Sequence, residues 1–137
     1  MAEVCKNERV TRADAERLRV RDAMVTTPKT TPANASVAEL RATFANPHVV
    51  TALLVDGPAF AGIVHRDTLA GDVADASPAR ALAVRDVPTI APDAPLTEAL
   101  AGLDERGERR LVVLDGDGST LRGLLCLTTD RQGFCQS

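Results

Sequence analysis

Apolar residues recur at Val37, Leu40 and Phe44, and again at Leu96, Leu100 and Leu103, with mostly polar or small residues between them. That spacing draws one apolar stripe along a helix in each place. Start signals precede both stripes: Ser36 for the first, Asp93 or Pro95 for the second. After each helix comes a continuous apolar run, TALLV at 51–55 and RLVVL at 110–114, of the kind that forms a buried strand. Asp56-Gly57 and Asp115-Gly116 then turn the chain into a second run, AGIV at 61–64 and RGLLC at 122–126, which predicts a hairpin. Short extended pieces, TTP at 30–32 and PTIAP at 88–92, lead into the helices. Each stretch reads β-α-β-β, with a further helix expected around 66–74 after the first.

The two stretches are one pattern written twice. Shifted by 59 residues, Val37 falls on Leu96, Glu39 on Glu98, Phe44 on Leu103, and the two Asp-Gly pairs coincide. A two-residue insertion in the second loop then brings Gly62 onto Gly123. Upstream, VRD at 20–22 matches VRD at 84–86, which implies about five extra residues in the first copy before its helix. ADASPARAL at 74–82 reads as a linker, and TTDRQGFCQS at 128–137 leaves room for about one more helical turn. The boundaries are an N-terminal extension at 1–17, a first repeat at 18–76 and a second at 77–137. A repeat of about 55 residues is marginal alone. The expected fold is therefore α+β, with two pseudo-symmetric β-α-β-β-α repeats packed into one globular module.

Composition narrows the function. Aromatic residues are 2% of the chain, with no Trp and no Tyr, so platforms for stacking bases are nearly absent. The net charge of −3 supplies no basic footprint, and a nucleic-acid partner is not expected. No apolar run reaches the roughly 18 residues of a membrane span. Residues 1–24 are charged throughout and hold no signal-peptide core, so a cytoplasmic protein without a membrane partner is expected. Cys5, Cys126 and Cys135 are odd in number and lack C-x-x-C spacing, and His48 and His65 are the only histidines. Neither a disulfide framework nor a metal site is expected of that set.

At this point the chain resembles a known family, the cystathionine-beta-synthase (CBS) domain, in the form of a stand-alone tandem pair. The resemblance is carried by VRDAM opening the module, PANASVAEL and APDAPLTEAL entering the helices, and RRLVVLDGDG leading to RGLLCL. It implies a regulatory role, dimers, and ligands that contain adenosine, such as AMP, ADP, ATP or S-adenosylmethionine, held between repeats. It also implies a ligand signature: Gly, two apolar residues, Thr or Ser, two variable residues, then an Asp that binds the ribose hydroxyls. In this chain the Thr/Ser place holds His65 and Cys126, and the Asp place holds Thr68 and Thr129. Asp67 and Asp130 lie one position early and one late. The ligand-binding candidates that follow from the resemblance are Thr30, Thr31, His65, Asp67, Thr68, Thr89, Arg110, Cys126, Thr129 and Asp130.

Other constellations point to structure. DGDGST at 115–120 lacks the Gly and Glu that a calcium loop needs at its sixth and twelfth places, and reads as a hairpin loop. ERGERR at 105–110 reads as a helix end with Gly107 as cap. Arg17, Arg19 and Arg21 read as a solvated face. No nucleophile elbow, zinc-protease motif or P-loop occurs, so no catalytic residue, resident cofactor or metal is expected. The reading is a non-enzymatic, ligand-sensing module, with an adenine nucleotide or S-adenosylmethionine as ligand. The alternative is an interaction scaffold of the same fold that has lost the nucleotide. Small residues beside the apolar stripes, Ala38, Ala42, Ala99 and Ala101, together with the resemblance, predict a homodimer through the helices. Light scattering at micromolar concentration should give a dimeric mass, and a monomeric mass contradicts this.

Overall fold

A computed structural model describes residues 8–26, 28–47, 49–128 and 131–135. They fall into two compact units, one built from Lys29–Val87, the other from residues of Val4–Pro28 together with Pro88–Ser137. In chain order the elements are β1 (Glu8–Thr11), α1 (Val20–Ala23), β2 (Thr30–Pro32), α2 (Val37–Phe44), β3 (Thr51–Asp56), β4 (Ala59–His65), β5 (Thr89–Ile90), α3 (Leu96–Arg106), β6 (Arg110–Leu114), β7 (Leu121–Cys126) and β8 (Gly133–Cys135). Short 3-10 turns lie at Arg12–Arg17, Arg66–Ala70 and Ala79–Leu82.

Each unit centres on a three-stranded sheet, β2-β3-β4 or β5-β6-β7. A helix carries the chain from the first strand to a parallel second, and the hairpin adds an antiparallel third. Even the irregularities repeat, since a bulge falls after Leu54 in one sheet and after Val113 in the other. The helices begin as their sequences dictate. Ser36 accepts a hydrogen bond from the Glu39 amide at 3.3 Å while Glu39 accepts one from the Ser36 amide at 3.0 Å, a reciprocal cap. On α2 the stripe Val37, Leu40, Phe44 is buried beneath Leu54 and Val64 of its own sheet. On α3 the stripe Leu96, Leu100, Leu103 is buried with Leu111, Val113 and Leu125. Ala99 joins that core, whereas Ala38, Ala42 and Ala101 are exposed.

The structure corrects the sequence alignment upstream of the helices. Val84, and not a residue of VRD at 20–22, is the counterpart of Val25. Val84 exchanges two backbone hydrogen bonds with Ile63 at 3.0 and 2.8 Å, and Val25 exchanges two with Leu124 at the same distances. The Leu96 amide donates to the Leu18 carbonyl, and the Val37 amide to that of Ser77. The Val20 amide donates to Ala94, and the Ala79 amide to Ala35. From Leu18 and Ser77 through Val25 and Val84 to the helix starts, these pairs keep the shift of 59 without a gap, while Ile63 and Leu124 lie past the two-residue insertion, so the five extra residues do not exist. The identical VRD triplets occupy different places.

Nor is 74–82 a linker. Ala79 is fully buried, Pro78 bridges Ser36, and the turn Ala79–Leu82 is the equivalent of α1. The segment heading each repeat in sequence therefore packs in the unit of the other. Residues 18–25 complete the unit of α3, and 77–84 complete the unit of α2.

Two further expectations are corrected. The helix expected at 66–74 is a 3-10 turn confined to Arg66–Ala70. The extra turn expected after β7 is replaced by β8, which pairs antiparallel with β1. Phe134 of β8 is fully buried in the core beneath α3. Asp104 ties this clasp to α3, accepting hydrogen bonds from Arg12 at 2.8 and 3.1 Å and from Arg131 at 2.9 Å. Hydrogen bonds from those guanidiniums, Arg12 first, hold its carboxyl down to about 2. The arginines read as a solvated face are indeed exposed, yet Arg17 pairs with Asp14 and Arg21 with Asp93, each at 2.6 Å.

Where the exchanged segments cross β4 and β7, only glycine fits. A Cβ on Gly123 would lie 2.5 Å from the Val25 carbonyl oxygen and 3.0 Å from the Met24 sulfur. One on Gly62 would lie 2.8 Å from the Ala83 Cβ, on a backbone whose φ of +131° already favours glycine. Gly123→Ala should destabilise the protein by about 1–3 kcal/mol, because the obstacle is backbone rather than a movable side chain. Urea unfolding checks this, and a midpoint equal to wild type contradicts the crossing.

Candidate functional site

Strand alternation sorts the candidate residues by face. In the first unit Leu54, Ala52 and Val64 point to the α2 core, so their neighbours along the strands stand on the opposite face. Register places Thr30 beside Leu53, Leu53 beside Ile63, and Thr51 beside His65. Thr30, Thr51 and His65 therefore share the sheet face away from α2. The second unit repeats this with Thr89 beside Val112, Val112 beside Leu124, and Arg110 beside Cys126. Thr30 and Thr89, Thr51 and Arg110, His65 and Cys126 are three equivalent pairs on equivalent faces. Thr51 was missed in the sequence. Its signal lay in the shift of 59, which lands it on Arg110.

The pairs differ in environment. His65 is exposed at the end of β4, whereas Cys126 is buried, 3% exposed, at the end of β7. Burial pushes the Cys126 thiol up, and the charges of Arg110 and Arg109 oppose that shift without cancelling it. Its sulfur lies 3.6 Å from the Leu127 carbonyl oxygen, to which it donates. A thiol of this kind packs as a small apolar group and makes a poor phosphate contact.

Beyond β4 the chain enters the 3-10 turn, where Asp67 and Thr68 are both exposed. They stand one and two residues past Arg66, close to His65 along the chain. Thr31 shares a row with Leu54, so it stands on the face opposite to Thr30. Thr30 and Thr31 also border an open cavity of about 570 Å³ beside α2, with Lys29, Asn34, Glu39 and Thr43 around it. Thr129 and Asp130, like Cys5, His48 and the Cys135 side chain, lie outside the described residues. Asp117, in the DGDGST loop, is occupied by its own turn. It accepts from the Ser119 and Thr120 amides at 2.8 and 2.9 Å, which with the Thr120 hydroxyl holds its carboxyl down to about 2. Among the described residues no cluster of His, Cys, Asp and Glu could hold a metal, and no helix is long and apolar enough to cross a membrane.

What fixes the first unit's turn is a pair of arginines. Arg66 donates from Nε to the Val49 carbonyl at 2.9 Å and from Nη2 to those of Phe44 and Asn46 at 2.5 and 2.6 Å. Arg41, on α2, donates to the carbonyls of Leu69 at 3.3 Å and Val73 at 2.8 Å and to Asp75 at 2.8 Å. Sequence reasoning named neither residue, because their partners are backbone carbonyls that no motif marks.

Comparison with known proteins adds the following. The family model for the CBS domain matches residues 20–75 and again 79–129, starting at equivalent places in the two repeats. A CBS domain pair/ACT domain protein from Thermotoga maritima is 20% identical, with a TM-score of 0.68, over 80% of this chain and 90% of that one. The CBS domain of a bacterial CNNM/CorC family Mg2+ transporter in complex with ATP is 17% identical, TM-score 0.65, over 83% and 84%. CBSX2 in complex with AMP is 20% identical, TM-score 0.66, over 79% and 89%. At these identities the likeness is one of fold. Curated proteins give no match.

The buried place of Cys126 has a direct check. In native protein this thiol should be alkylated at least about a hundredfold more slowly than in urea. Mass spectrometry of the Cys126 peptide over time measures it, and reaction at the unfolded rate contradicts an interior β7.

Proposed function

This chain belongs to the CBS domain family, and from that premise we propose a regulatory, non-catalytic module whose first repeat senses a ligand containing adenosine. The observation that carries the reading is the exposed group at the end of β4. His65, with Thr30 and Thr51 on its sheet face and Asp67 and Thr68 on the turn that follows, offers an imidazole, hydroxyls and one carboxylate. A vicinal diol and a phosphate are bound by groups of those kinds. The AMP and ATP complexes of two fold neighbours support adenosine as the shared chemical element. Our reading assigns the second repeat a structural part, since Cys126 is buried where His65 is open.

The family resemblance puts an Asp where this chain has Thr68. A Thr hydroxyl makes one neutral contact with a ribose, whereas a carboxylate makes two charge-assisted ones. Thr68→Asp should strengthen adenosine binding by about 1–3 kcal/mol, roughly five- to 150-fold in affinity. Adenosine is a cleaner probe than ATP, whose phosphates the new charge would repel. Calorimetry on wild type and variant decides between the sensor and a scaffold of the same fold. A scaffold gives no heat from either protein, and weaker binding in the variant shows that Thr68 does not face the ribose.

A further inference from the structure

The two helices end differently, and the difference bears on the site. α3 ends on Gly107, whose left-handed φ of +66° lets its own amide and that of Glu108 return to the carbonyl of Leu103. α2 has no such glycine. Ala45 follows it in ordinary right-handed geometry; the amides of Ala45 and Asn46 reach the Ala42 and Thr43 carbonyls, and Arg66 meets those of Phe44 and Asn46 just beyond. The same guanidinium lies 5.3 Å from the Phe44 ring centroid, a cation-π distance, and reaches on to Val49. Arg66 stands between His65 and Asp67 in the chain, so the cap of α2 and the start of the proposed site are one residue.

Arg41 works in the opposite direction. From α2 it reaches the carbonyls of Leu69 and Val73, beyond Thr68. Helix and turn thus hold one another by reciprocal forks that bracket Asp67 and Thr68. The second unit does without this device. The places of Arg41 and Arg66 are taken there by Leu100 and Leu127, both buried in its apolar core. Equivalent positions in one repeated frame hold arginine in the unit where His65 is exposed and leucine in the unit where Cys126 is buried.

We infer that Arg66, supported by Arg41, is a positioning residue that sets His65, Asp67 and Thr68 for the ligand. This rests on the adenosine reading of the first repeat. A planar fork aimed at three carbonyls is geometry that an ammonium does not reproduce, so lysine keeps the charge and loses the aim. The test compares wild type with Arg66→Lys, Arg66→Leu and Arg41→Lys, well below their melting temperatures. Amide exchange is followed at residues 66–70 and, as an internal standard, at 52–54 in the centre of the sheet, and adenosine affinity is measured by calorimetry.

The expected result is faster exchange at 66–70 with 52–54 unchanged, and about tenfold weaker adenosine binding in both lysine variants. Arg66→Lys should retain more affinity than Arg66→Leu. If Arg66→Leu does not fold, the two lysine variants carry the test alone. Variants that lose melting temperature but bind adenosine as wild type does overturn the positioning role, because Arg66 is then only a cap. Exchange at 66–70 that stays at the wild-type rate overturns it as well. Wild-type protein that gives no heat with adenosine overturns the proposed function and this inference together, a result separable from the others because it needs no variant.

Discussion

Everything in each unit depends on one backbone crossing. A three-stranded sheet has two edges, and an open edge strand such as β4 or β7 is a liability in water. Here the hairpin edge is met by a borrowed segment: Val84 against Ile63 on β4, and Val25 against Leu124 on β7. The crossing demands glycine on the sheet side, and it fixes the helix N-terminus at the same time, since the same segments accept from Val37 and Leu96. Sheet edge, helix start and core closure are thus a single set of contacts made twice.

On that shared frame the two units diverge by what fills equivalent places. The first keeps polar groups at the end of its hairpin and secures the following turn with guanidiniums on carbonyls. The second buries leucine and cysteine at those places and closes with Phe134 under the β1–β8 pair. Hydrogen bonds of the first kind are directional and can be exchanged for others, whereas close-packed apolar contacts resist rearrangement. Repetition supplies the architecture, and the departures from it carry the chemistry.

Much of the frame was legible in the chain. The stripes at Val37–Phe44 and Leu96–Leu103, the Asp-Gly turns and the shift of 59 are local or periodic signals, and the structure has the helices and hairpins they predict. What misled was also local. Two identical VRD triplets invited an alignment that hydrogen bonding rejects, because pairing partners such as Val25 and Leu124 are far apart in sequence and leave no mark on either segment alone. The same holds for β8, whose strand exists only against β1, and for Arg66, whose acceptors are backbone. The site was half legible: glycine spacing located His65 and Cys126, but nothing in the residues said that one would be open and the other buried.

The exchange of segments also sets an order of events. A unit cannot close before its borrowed piece is available. For the α2 unit, Val84 follows Ile63 closely, so closure needs only a short loop. For the α3 unit, Val25 must wait for Leu124, roughly a hundred residues later, and β1 for β8 later still. During synthesis residues 18–25 wait for β7, while the α2 unit can already be complete. The half proposed to sense is closed by a piece local to it in sequence, and the other half by a piece roughly a hundred residues away.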